Sequence, residues 1–143
     1  MFSVTEASVF DVAELLDDTG AAQRVGKTAF GRYARQVAGG ASCSVRDADG
    51  QLVAMAGLWP EAAYAEAWFG VGPGARGHLV RLVRLLGRLM VMTLREAGVP
   101  EVRAFIHPDS VAGARLASRL GFSHHDTASS PLGPQAVFVR RIS

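Results

Sequence analysis

Apolar residues recur along this chain at two different rhythms, and each change of rhythm marks an element. Residues 8–19, "SVFDVAELLDDT", place Val9, Val12, Leu15 and Leu16 on one side at helical spacing, with Ser8 as N-cap. Residues 26–38, "GKTAFGRYARQVA", predict a second, shorter helix with Phe30, Tyr33 and Val37 inward. A long helix is predicted over 78–98, ended by Gly98 and Pro100, and a shorter one over 109–121, capped by Asp109 and closed by Gly121.

Between the helices the period falls to two. Residues 2–4 form a short strand, and 41–60 read as two strands around the turn "DADG". Further strands are predicted at 63–71 and 101–107, and "SHHDTASSPLGPQAVFVRRIS" reads as two more around "SSPLGP". The order is α/β, a single mixed central sheet with helices on both faces. Strands 63–71 and 101–107 flank the long helix as a crossover unit and should be parallel.

Composition narrows the class. With 143 residues, 49% hydrophobic and 20% charged, the chain reads as one globular domain over 1–143. Its one cysteine, Cys43, excludes an internal disulfide and any multi-cysteine zinc site, and reads as a buried structural thiol. The first residues, "MFSVTEASVF", lack a basic leader and a long apolar run, and "LMVMTL" (89–94) is too short to span a bilayer. A soluble, cytoplasmic protein is expected. A formal charge of +2 demands neither nucleic acid nor membrane as partner.

Two stretches compete as phosphate-binding loops. "AAQRVGKT" (21–28) loosely matches a P-loop, but a helical pattern precedes it instead of a strand, and Ala21 stands where the first glycine belongs. Nucleotide hydrolysis is therefore not expected. "GVGPGARGHLVRL" (70–82) has the right setting, a strand running into glycines and then a helix whose first N–H groups favour an anion.

Residues 71–78, "VGPGARGH", the long helix, the strand 101–107 and "IHPDSVAGARLASRLGF" (106–122) together resemble the core of the GCN5-related N-acetyltransferase (GNAT) family. The resemblance covers residues 63–122. It implies acetyl-CoA as co-substrate, lying where strands 63–71 and 101–107 splay apart. Pantetheine would run along Phe69, Gly70 and Val71, and pyrophosphate would sit at Arg76, Gly77, His78, Leu79, Val80 and Arg81. Ser110 and Arg115 would add cofactor contacts from the second motif. The implied reaction is direct transfer of an acetyl group to a primary amine of a small molecule or protein.

The chain departs from the family pattern in places. Leu79 and Arg81 replace two glycines that let backbone approach the pyrophosphate, and Ala117 and Ser110 stand where a tyrosine and an asparagine are usual. Alanine cannot protonate a leaving thiolate. Glu66, the one ionisable residue on strand 63–71, is the first candidate for general base, against the plain alternative of an outward-facing carboxylate. His78 and His107 are the other candidates. His124 and His125 lack a third metal ligand, and Trp59 and Trp68 read as core or cleft wall.

One charge pattern stands apart. Arg81, Arg84, Arg88 and Arg95 fall within roughly a 60° arc of the long helix. This is the solvent edge of a buried helix, a landing strip for CoA phosphates, or a basic surface for a partner. A further resemblance, of "AWFGVGPGARGHLVRLVRLLGRL" to GNAT-like proteins of tailed bacteriophages, supports the alternative of a catalytically degenerate interaction module. Exposed edges of such a sheet also make a homodimer an expectation.

Overall fold

The computed structural model describes residues 1–18, 35, 37, 39–130 and 133–142. Its elements run β1 (Ser3–Glu6), α1 (Val9–Asp18), β2 (Ala41–Arg46), β3 (Leu52–Pro60), β4 (Ala65–Val71), a 3-10 turn (Pro73–Ala75), α2 (Leu79–Ala97), β5 (Glu101–Ile106), α3 (Val111–Arg119), β6 (Ser123–Ser130) and β7 (Gly133–Arg141). The strands form one mixed sheet in the order β1-β2-β3-β4-β5-β7-β6. The alternation of periods in the sequence thus becomes the expected alternation of strands and helices. The P-loop-like stretch 21–28 and most of the helix predicted over 26–38 lie outside the described residues.

The chain forms two compact units, Met1–Trp59 with Trp68–Leu79, and Pro60–Ala67 with Val80–Ser143. In the first, α1 buries Val12 and Leu15 against Leu52, Met55 and Trp68, with Ala7 and Val37 packed alongside. Gly57 makes this packing possible, because a Cβ there would land inside the Trp68 indole. The ring is buried and has little room to yield. Gly57→Ala is therefore expected to cost about 1–3 kcal/mol, the usual range for overpacking a core. A thermal melt checks this, and an unchanged Tm would show that the indole moves freely.

A polar network ties α1 to the sheet in the same unit. Ser8 and Asp11 form a reciprocal cap: the Ser8 N–H donates to Asp11 Oδ2 (3.0 Å) and the Asp11 N–H to Ser8 Oγ (3.3 Å). Asp11 Oδ2 also accepts from the hydroxyl of Ser44 (2.7 Å), which is fully buried on β2. Arg46 donates to Asp11 Oδ1 (2.8 Å) and, with both terminal nitrogens, to Glu14 (3.1 and 2.8 Å). The "DADG" turn forms as predicted, with Asp47 Oδ1 accepting from the N–H groups of Asp49 and Gln51, and Gly50 at φ +79°.

In the second unit, α2 buries Leu82, Leu86, Met90 and Leu94 at helical spacing. Ala65, Val102, Ala117, Phe122, Val137 and Phe138 are also buried in this unit. β5 pairs antiparallel with β7 from Glu101↔Arg141 to Ile106↔Ala136. Its other edge pairs parallel with β4, as expected, through Ala65↔Val102 and Glu66↔Arg103. The last three residues of β5, Ala104–Ile106, keep their β7 partners but take none in that parallel ladder.

Candidate functional site

The segment after β4 folds as consecutive tight turns. The Gly72 N–H donates to Val53 O (2.9 Å), the Ala75 N–H to Gly72 O (3.1 Å) and the His78 N–H to Ala75 O (3.0 Å). Ala75 is buried, which anchors the turn, while Arg76, Gly77 and His78 face solvent. Gly77 sits at φ +80° with open space where a Cβ would be, so glycine is needed here for backbone conformation. α2 starts two residues later, at Leu79, and its first-turn N–H groups have no intrahelical acceptor.

Charge at this end suits an anion. The first turn of α2 carries no acidic residue, and the side chains of Arg76 and Arg81 make no ion pair among the described residues. Leu79 and Val80 are 43% and 55% exposed, so their side chains point away from the core. The His78 ring packs edge-on against Phe2, with centroids 5.6 Å apart. Nothing in the spacing of Phe2 pointed to this contact, which needs the N-terminal strand folded back on the turn.

On β4, Phe69, Gly70 and Val71 are half-buried. A Cβ on Gly70 would stand 2.5 Å from Leu15 Cδ2, so this glycine makes room for α1. Glu66 is half-buried, and strand alternation puts it on the same side of β4 as Trp68 and Gly70. Its register partner is Arg103, whose guanidinium donates to Glu101 (2.6 Å) and stacks over the Tyr64 ring at 4.2 Å.

His107 follows β5 directly and is exposed. Its Nδ1 accepts the Asp109 N–H (3.2 Å), so in the neutral ring the proton sits on Nε2. In that form the free end of the imidazole is a donor. The predicted cap of the following helix is corrected: Ser110, one residue on, is the N-cap, its Oγ accepting from the Gly113 N–H (3.0 Å). Asp109 instead holds His107. Gly113 is tightly placed, since a Cβ would meet Ile106 Cγ2 at 2.8 Å.

The remaining candidates separate. Arg115 is exposed on α3 without an ion pair among the described residues, and Ala117 is buried. Cys43 is half-buried rather than fully buried, and that burial pushes its thiol above the ordinary range. Trp68 is core, and Trp59 is half-buried beside Gly39. His124 packs edge-on against Phe138, and the described residues contain no cluster of three metal-ligating side chains. No helix among them is long and apolar enough to cross a membrane. The Asp11–Ser44–Arg46–Glu14 network escaped the sequence reading, although the spacing Ser8-x-x-Asp11 signalled its first half.

Solved acetyltransferases share this architecture over nearly the whole chain. An N-acetyltransferase from Staphylococcus aureus is 16% identical and aligns over 100% of this chain and 99% of its own, with a TM-score of 0.73. The ribosomal-protein-S5-alanine acetyltransferase from Vibrio fischeri is 9% identical and aligns over 98% and 92%, also at 0.73. An aminoglycoside acetyltransferase in complex with coenzyme A and kanamycin is 14% identical and aligns over 99% and 95%, at 0.75. The chain has the GNAT fold. By sequence it matches no family model and no curated protein, so the GNAT likeness is one of backbone. The expectation drawn from "VGPGARGH" and "IHPDSVAGARLASRLGF" is met at that level.

Proposed function

We propose that this chain is an acetyl-CoA-dependent N-acetyltransferase acting on a primary amine. The observation that carries the reading is the segment from β4 to α2. It offers a glycine at positive φ, first-turn N–H groups, no acidic residue and two arginines without ion pairs, all on one turn. These features fit an anionic pyrophosphate. Aminoglycoside acetyltransferase structures with coenzyme A, and with coenzyme A and kanamycin, support the choice of co-substrate and acceptor class.

Acetyl-CoA supplies an acetyl group activated as a thioester. The residues proposed to hold its pyrophosphate are Arg76, Gly77, His78, Leu79, Val80 and Arg81, with Phe69, Gly70 and Val71 lining the pantetheine and Ser110 and Arg115 contributing from α3. As the acceptor nitrogen bonds to the acetyl carbon, the carbon–sulfur bond breaks and the amine loses a proton. Glu66 takes that proton in this reading. The departing thiolate takes one from water or from Nε2–H of His107, since Ala117 has none to give. The protein is read as soluble and cytoplasmic.

A second reading, a GNAT fold that no longer binds the cofactor, is favoured by the exposed side chains of Leu79 and Val80 at the turn. A thermal-shift titration with acetyl-CoA, CoA and ATP separates the two. A ligand at a hundredfold its Kd stabilises by ~2.7 kcal/mol, a rise of several degrees for a chain of this size. Acetyl-CoA and CoA should raise Tm and ATP should not. No shift at saturating acetyl-CoA would overturn the first reading. Leu79→Gly with Arg81→Gly restoring a shift would then identify crowding at the turn as the cause.

A further inference from the structure

We propose that the outer faces of α2 and α3 form a docking surface for an acidic, amphipathic segment of a partner protein. The two helices carry six arginines, Arg81, Arg84, Arg88 and Arg95 on α2 and Arg115 and Arg119 on α3, against one acid, Glu96. On α2 the arginine stripe lies opposite the buried Leu82, Leu86, Met90 and Leu94. The helices meet at Leu120, whose Cδ2 lies 3.6 Å from where a Gly87 Cβ would stand. Arg84 and Arg88 flank Gly87, and Arg119 precedes Leu120. Arg140 comes to the same place, donating to Leu120 O (2.6 Å).

Arg84, Arg88 and Arg119 are exposed and make no ion pair among the described residues. Elsewhere the fold uses arginine differently, pairing Arg46 with Asp11 and Glu14, and Arg103 with Glu101. On α2 and α3 the spacing even sets like charges one turn apart, Arg84 with Arg88 and Arg115 with Arg119, which mildly destabilises each helix. Arg95 and Arg119 sit in the last turns of their helices, where a cation is favoured, but fold stability gives no such reason for Arg84 and Arg88. An anionic partner does, since a guanidinium takes a carboxylate bidentately.

Apolar side chains within the basic surface identify the kind of partner. Met92 (56% exposed) lies one turn from both Arg88 and Arg95, and Val111 (64% exposed) one turn from Arg115. Arginine and methionine are, alongside the aromatics, enriched where proteins meet proteins. Neither helix carries an aromatic ring on which a nucleic-acid base could stack. The complementary partner is a segment with carboxylates one helical turn apart and small apolar anchors between them. Arg81 and Arg115 are also among the residues proposed to hold the cofactor, whereas Arg84, Arg88, Met92 and Arg119 are not.

The test uses a fluorescently labelled synthetic peptide with glutamates and leucines at helical spacing, titrated with the full chain by anisotropy. Saturable binding is expected at low salt, weakened about tenfold or more at 0.5 M salt and by the triple variant Arg84→Glu, Arg88→Glu, Arg119→Glu. Lysine at the same three positions should retain most of the binding, and Met92→Ser should weaken it several-fold. All four positions are exposed, so the melts should match; should the glutamate variant melt early, glutamine at the three sites serves the same comparison. Absence of saturable binding, or equal binding by wild type and charge-reversed variant, would overturn the proposal. So would a single-stranded RNA that binds more tightly than the peptide and loses binding in the same variant, which would make this a nucleic-acid surface.

Discussion

Replacing Glu66 with glutamine is expected to lower kcat by about 10²–10⁴-fold, the usual contribution of a positioned general base. Glutamine keeps the shape and the hydrogen-bonding capacity of the side chain but cannot take a proton. The rise in Tm produced by acetyl-CoA should persist, because the residues proposed to hold the cofactor are untouched. That split, rate lost and cofactor binding kept, distinguishes a base from a structural carboxylate. Unchanged turnover would remove Glu66 from the reaction and leave His78 and His107 to be tested. Of these, His107 has its Nδ1 lone pair engaged by the Asp109 N–H.

Asp11→Ala is expected to destabilise the chain by about 3 kcal/mol, lowering Tm by roughly 10 °C. The change removes a cap from α1, leaves the buried Ser44 hydroxyl without its acceptor, and takes one of two carboxylates from Arg46. Acid should reveal the same network. Burial pushes the Asp11 carboxyl up, but donors from Ser44, the Ser8 backbone and Arg46 outweigh it and hold the group below its ordinary value near 3.8. A carboxyl lowered by folding contributes stability that is complete above its unfolded value and is lost as pH falls through the folded one. Urea unfolding at neutral pH and near pH 3 should therefore show the gap between wild type and Asp11→Ala narrowing on acidification. A gap of equal size at both pH values would show that the carboxylate's charge plays no part.

Much of the fold was legible because the signals are local. The period-two runs became strands, and the 3.6-period of residues 79–97 became a helix whose buried positions repeat every fourth residue. Punctuation read correctly wherever backbone conformation demands one residue type, as at Gly50, Gly98 and Gly121, all at positive φ. Boundaries were less sharp. The strand expected from residue 63 begins at Ala65, and the cap expected at Asp109 moves to Ser110, because capping depends on which oxygen reaches the Gly113 N–H.

By itself the sequence determined the order of the described elements, the parallel crossover from β4 to β5 and the position of the glycine turn before α2. Each of these follows from periodicity or from backbone restrictions that act within a few residues. Only the tertiary structure decided that Gly57 and Gly70 yield space to Trp68 and Leu15, that Phe2 lies against His78, and that Asp11 and Glu14 converge on Arg46 from 35 and 32 positions away. It also brought Leu120 against Gly87 on α2. These are matters of close packing between segments distant in the chain, where a difference of one methyl group decides which neighbours fit, and no local pattern carries that information.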